Sequence, residues 1–230
     1  AITVSGLDVL GQTPPPDSAQ DDVVIYGERL AIATTKSITN DRLLAIPGQQ
    51  TTATLTTRVL PYPESTKAAT RIVQYDPPAA ETGLTEWYRY FDPTAIVVTS
   101  VPGGATLTVQ YRDGTGAWAD VPGLVGITEP GSPHTLAIPS GIRNSIHGLR
   151  LVWDSPTGFV PGSQLTSNIA YQLRSELRGT STPLPNENLV DQLVNCSSAT
   201  GSIGAGGAVD ASASSPTPCS PRPTPKPSSA

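Results

Sequence analysis

Lysine is nearly missing from this chain: Lys36, Lys67 and Lys226 are the only three in 230 residues. Charged residues of all kinds make up 14%, the formal net charge is −5, and the 14 Lys and Arg are spread thinly along the sequence. Phosphate binding depends on clustered cations, so this distribution disfavours a nucleic-acid partner. No apolar run approaches the roughly 20 residues needed to span a bilayer, and no charged-then-apolar leader opens the sequence, so nothing here points to membrane insertion. Methionine is absent even at position 1, which leads us to expect an excised or processed piece of a longer precursor. There are two cysteines, Cys196 and Cys219. Without histidines nearby they make no zinc site, and a single disulfide between them in an oxidising, extracellular setting is the expectation, with partners in other modules or chains as the alternative.

Catalytic signatures are missing as well. There is no Gly-x-Ser-x-Gly elbow, no Ser-x-x-Lys, no His-Glu-x-x-His and no phosphate-cradling glycine loop. His134 and His147 sit alone in the turn-rich stretches "GSPHTL" and "NSIHGL". Asp76, Asp92, Asp113 and Asp154 follow or end strand candidates and could pair in space as glycosidase carboxylates do. "DSAQDD" (Asp17 to Asp22) lacks the spaced Asp-x-Asp-x-Asp-Gly loop of a strong calcium site and reads as a solvated acidic linker, next to a Pro14–Pro16 spacer. No metal, cofactor or enzymatic role is expected.

What the chain does hold is Thr, Ser, 21 Gly and 24 Pro, a balance that favours strands and turns over helices. The dominant period is two. "TATLTTRV" places Ala53, Leu55, Thr57 and Val59 on one face, and "NIAYQLRSEL" places Ile169, Tyr171, Leu173 and Leu177 against Gln172, Arg174 and Glu176. Further alternating runs ("DVVIY", "RLAIATTKSI", "TRIVQY", "TAIVVTSV", "ATLTVQY", "TLAI", "GLRLVW") are bounded by Pro, Gly, Asp or Asn. Short strands at this spacing predict an all-β sandwich or barrel. "IPGQQTTATLTTRV" (Ile46 to Val59) and "VPGSQLTSNIAYQL" (Val160 to Leu173) echo each other, each opening on a Pro-Gly turn that launches a strand. The echo fits either a duplication or one turn used twice within a single sandwich.

These same segments carry a resemblance. "ATTKSITNDRLLAIPGQQTTATLTTRV", "YRDGTGAWADV" and "IHGLRLVWDSPTGFVPGSQLTSNIAYQLR" resemble, in order, the conserved-repeat immunoglobulin-like domains of large bacterial surface proteins, especially actinobacterial ones. The match runs over roughly residues 28 to 178, and the hairpin departs from the usual Asp-Gly-Gly by reading Asp113-Gly114-Thr115-Gly116. The resemblance implies an immunoglobulin-like antiparallel sandwich at 28–178, the end of a preceding module plus a Pro/Asp linker at 1–27, and a closing segment or the start of a further module at 179–215. Residues 216–230, rich in Pro and Ser, read as an extended spacer. The implied job is structural or adhesive, with neighbouring modules, copies of the same protein, or a glycan or host-cell surface protein as partners. The alternative is a carbohydrate-binding accessory module of a secreted enzyme.

Three local stretches test these readings. In "YRDGTGAW" (Tyr111 to Trp118), Asp113 and Trp118 either flank a sugar or calcium ion or belong to a tight hairpin turn, and Asp-Gly between alternating runs favours the turn. In "EWYRYF", Trp87, Tyr88, Tyr90 and Phe91 cannot all face one core if the segment is a strand, so it is the candidate ligand or partner surface, while structural burial between the sheets' rim and a neighbouring module is the favoured reading. Lys36 shares parity with Leu30, Ile32 and Ile38, which aims its ammonium at the core. In many Gram-positive adhesin modules an inward lysine forms an isopeptide bond with Asn or Asp. Asn168 is the obvious partner by position, but its parity faces it away from the core. The favoured expectation is therefore a free amine snorkelling to water at the sandwich rim.

Overall fold

The computed structural model describes residues 2–4, 17–19, 27–40, 43, 46–99, 101–128, 134–180, 182–184, 193–204 and 210–214. The Pro14–Pro16 run, Asp21 and Asp22, and the whole 216–230 spacer lie outside them. Strands β1 (Ile2–Val4) and β2 (Asp17–Ala19) pair antiparallel with each other.

The remaining strands form two antiparallel sheets. The first contains β3 (Ile32–Thr39), β4 (Gln50–Val59), β6 (Phe91–Val98), β10 (His134–Ala137) and β12 (Gln164–Leu173), in the order β10-β6-β12-β4-β3. The second contains β5 (Ala69–Asp76), β7 (Thr106–Arg112), β8 (Trp118–Asp120), β11 (Gly148–Phe159), β13 (Ser198–Ser202) and β14 (Asp210–Ser214), in the order β14-β13-β5-β11-β7-β8. β9 (Ile127–Thr128) adds to β7. Two short helices, α1 (Glu86–Tyr90) and α2 (Ser140–Arg143), precede β6 and β11.

Alternation decides which side chains meet between the sheets. On β4 the buried set is Thr51, Ala53, Leu55, Thr57 and Val59, and on β12 it is Leu165, Ser167, Ile169, Tyr171 and Leu173. Ile72 of β5 and Leu149, Leu151 and Trp153 of β11 face them in a single apolar core. Fully burying an aliphatic side chain of this kind contributes about 1.5–3 kcal/mol. The sheet does not stop at residue 178: β13 pairs β5 in register Thr200↔Val73, and Ala199 is part of the core.

The echoing Pro-Gly segments are neighbours. β4 and β12 pair antiparallel along their whole length, from Gln164↔Arg58 to Gln172↔Gln50. Gly48 N donates to Leu173 O and Gly162 N donates to Val59 O, both at 2.9 Å, so each turn closes on the last residue of the other strand. Both glycines take positive φ, 89° and 93°, which explains why the sequence keeps Gly after Pro at both ends.

Candidate functional site

The most unusual chemistry in the described residues lies inside the sandwich. β5 places two polar side chains, Gln74 and Asp76, inward among apolar neighbours, and neither is exposed to solvent. Gln74 is well satisfied. Its amide nitrogen donates to Thr57 Oγ1 at 3.0 Å, and its oxygen accepts from Trp153 Nε1 at 3.0 Å and Ser167 Oγ at 2.9 Å. One side chain thus ties β4, β11 and β12 together across the core.

Asp76 receives Lys36. The ammonium sits 2.7 Å from Asp76 Oδ2, with the two side chains 5% and 0% exposed. Lys36 Nζ also donates to the backbone carbonyl of Cys196 at 3.1 Å. Tyr171 Oη donates to Asp76 Oδ2 at 2.7 Å, and Tyr88 Oη donates to the Asp76 backbone carbonyl at 2.9 Å. Burial, followed by the nearby Asp76 charge, pushes both phenols well above their ordinary range, so they stay protonated as donors. Desolvation is also the largest effect on Lys36: it lowers the amine from 10.5 to about 8 against the attraction of Asp76.

The cluster is incompletely satisfied. Asp76 Oδ1 is buried without a hydrogen-bond partner, and so are both Oδ1 and Nδ2 of Asn195, the residue beside Cys196. Leaving a buried polar group unpaired costs about 1–3 kcal/mol. A cleft of about 830 Å³ opens above this segment, lined by Pro77, Glu81, Leu84, Tyr90, Asn195 and Cys196 among others.

The structure revises several sequence expectations here. Lys36 points inward as its parity requires, but it does not snorkel to the rim; Asp76 provides an internal counter-ion. Asn168 faces outward, where its Oδ1 accepts from Thr54 Oγ1 at 2.8 Å, so it is not the residue that meets Lys36. Trp87, Tyr88, Tyr90 and Phe91 do not form an exposed surface, being 4%, 0%, 8% and 4% exposed. The reason is local: Thr85 caps a single helical turn, accepting from Tyr88 N, and Glu86 pairs with Arg89 at 2.8 Å. The turn brings Trp87 and Phe91 to one side, stacked with ring centroids 4.4 Å apart, and both rings meet Tyr171 edge-on. Arg178 locks the segment from beneath, its Nε donating to Tyr88 O at 2.7 Å.

The Asp113 hairpin is a turn joining β7 to β8, with Arg112 opposite Trp118. Asp113 Oδ1 accepts from Thr115 N at 2.8 Å and Thr115 Oγ1 at 2.6 Å, while Trp118 lies under Arg150, whose guanidinium carbon is 4.5 Å from the ring. The four aspartates flagged as candidate acids are dispersed: Asp76 binds Lys36, Asp92 binds Arg174 and Arg178, Asp154 binds Arg71, and Asp113 holds its own turn. His134 begins β10 on the surface, and His147 N donates to Arg112 O at 2.7 Å. Cys219 lies outside the described residues, so its pairing with Cys196 remains an expectation. Among the described residues no group of three or more His, Cys, Asp or Glu could hold a metal ion, and no helix is long and apolar enough to cross a membrane.

Sequence reasoning reached Lys36 but missed Asp76 as its partner and missed Asn195. The only available signals were an Asp at the inward end of "TRIVQYD" and a lone Asn in the apolar stretch "LVNC". Compared with known protein families, curated proteins and solved structures, the chain matches none.

Proposed function

We propose that this chain is a non-catalytic structural or adhesive repeat module of an exported bacterial surface or filament protein, built as an immunoglobulin-like sandwich. The observation that supports this reading is the bond from Lys36, on the first strand of the sandwich, to Asp76 and to the carbonyl of Cys196 in the segment entering β13. A tether pulled through its two ends loads its first and last strands first. Here the first of them, β3, is joined through the core to the end of β5 and to the segment entering β13, the last strand but one, by a charge-assisted contact shielded from water. The Pro/Ser-rich spacer that follows suits a bead in an extended array.

The carbohydrate-binding alternative drew on the aromatic run at 86–91, whose rings are used inside the sandwich. Antibody labelling of intact cells carrying the full-length parent protein tests surface display. Labelling without permeabilisation is expected, and labelling only after permeabilisation would overturn the reading. A glycan array probed with the intact chain should give no specific signal; a saturable hit would favour the carbohydrate-binding module instead.

A further inference from the structure

We propose that the cleft above the core is the docking site of this chain's own basic, proline-rich tail, with the stretch from Pro221 to Pro227 lying against the wall that carries Glu81 and Glu86. The inference rests on the cleft and on the strand that delivers the tail to it, not on the role proposed for the module. Two stretches build the cleft. The loop after β5 and helix α1 supply Glu81, Leu84, Glu86 and Tyr90, and the segment before β13 supplies Leu193 and Cys196. Leu84 and Leu193 pack on the core but keep part of their surface uncovered. The cavity of about 830 Å³ thus combines apolar lining with two carboxylates on one side.

Strand pairing brings the tail to this place. β14 runs antiparallel to β13 with Ser214 opposite Ser198, so the chain leaving Ser214 heads back alongside Cys196. Ser198 Oγ in turn accepts from Ala79 N at 3.0 Å, and Ala79 stands two residues before Glu81. The tail therefore starts beside both walls of the cleft. Cys219 follows Ser214 by five residues, and the disulfide expected from it to Cys196 would fix the same course.

Charge and backbone chemistry match as well. After Asp210 the sequence has no acidic residue, and its only cations are Arg222 and Lys226, set among Pro221, Pro223, Pro225 and Pro227. That alternation favours polyproline II, which is extended before it docks and so loses little freedom on entering a groove with apolar and aromatic lining. Among the described residues Glu81 makes no ion pair, and Glu86 meets Arg89 at the surface. Arg222 and Lys226 supply the countercharge, held near it by the tether at high effective concentration. An array of such modules would begin its spacing beyond Pro227.

Two measurements on the intact chain test this. A zero-length carbodiimide couples an amine to a carboxylate only where the two already touch. Peptide mapping of a mixture of isotope-labelled and unlabelled chains then separates bonds within one chain from bonds between two. The expected result is Lys226 joined to Glu81 or Glu86 of the same chain, at a yield independent of protein concentration. Hydrogen exchange is compared between the parent and a charge-reversed tail, Arg222→Glu with Lys226→Glu. Amides of 83–85 and 193–195 should exchange severalfold faster in the reversed chain. Adding Glu81→Lys, an exposed position, should restore much of the protection, and failure to restore it overturns the pairing with Glu81. Protection unchanged by the reversal overturns the docking, whichever crosslinks form. Coupling mainly between chains also overturns it, since the occupant would then be the tail of a second copy. Coupling of Lys226 to carboxylates all over the surface, or to none, would show a tail that does not dock.

Discussion

Lys36 and Asp76 face each other across the two sheets at 2.7 Å, one from the middle of β3 and the other from the last residue of β5, with almost no exposure on either side chain. Neither charge has water to fall back on. The effective cost of removing such a pair from water is several kcal/mol per ion, and their mutual attraction offsets much of it only while both are present. Asp76→Ala should therefore lower unfolding stability by about 3–5 kcal/mol. The paired change Lys36→Met with Asp76→Leu should recover most of that loss. Urea denaturation of the set measures both. A double variant as unstable as the single one would show that the pair does more than neutralise itself.

The same burial sets the titration of Lys36. Its folded pKa is lowered to about 8 from 10.5, so between those values the unfolded chain holds a proton that the folded chain has released. Stability contributed at this site must rise with pH through that window, and be flat below it, where both states are protonated. The limiting slope for one group is about 1.4 kcal/mol per pH unit. Tyr88 and Tyr171, raised in the folded state, act in the opposite direction once unfolded tyrosines begin to ionise near pH 10. Comparison with Lys36→Met cancels the tyrosines. The stability difference should move in favour of the lysine chain between pH 8 and 10, and a difference that falls over that range would mean that Asp76 outweighs desolvation.

Trp87 separates a packing role from a ligand role. It is buried, stacked on Phe91 and edge-on to Tyr171 with centroids 5.4 Å apart. Trp87→Ala should cost about 3–5 kcal/mol, as large-to-small changes in a close-packed core do. Calorimetry of Trp87→Ala reads this directly. A variant as stable as the parent would mean that the ring is not held in the core.

The alternation of apolar residues was sufficient to assign the inner faces of β4 and β12, to aim Lys36 inward and to turn Asn168 outward, because the strand pleat is a local rule. It could not say what Lys36 meets. Asp76 lies 40 residues further along and on the other sheet, and only the order of strands brings it opposite. Asn195 is further still from Lys36 and stands in an irregular segment with no period to read. For the aromatic run at 86–91 the sequence leaves a ligand surface and structural burial side by side, because six residues are too few for periodicity to separate a strand from one helical turn; the deciding feature is the Thr85 cap. The Pro-Gly echo was visible in sequence, whereas its meaning depended on β4 and β12 being neighbours.

That neighbour relationship gives a final prediction. Gly48 and Gly162 adopt φ of 89° and 93°, and each donates its N–H to the end of the opposite strand. An added Cβ at Gly162 would meet nothing within 4 Å, and at Gly48 it would only touch Gln172 Nε2 at 3.6 Å, so neither substitution fails for lack of room. The cost is conformational: a non-glycine residue held in the left-handed region loses about 1–2 kcal/mol. Gly48→Ala and Gly162→Ala should each lower stability by that amount. With ten residues in β4 between the turns, at about 3.4 Å each, the sites are too far apart to interact, so the double variant should show the sum. Denaturant midpoints of the two single variants and the double variant measure this. A double variant less destabilised than the sum would show that release of one turn already frees the other, and that β4 and β12 detach as a unit rather than fraying from separate ends.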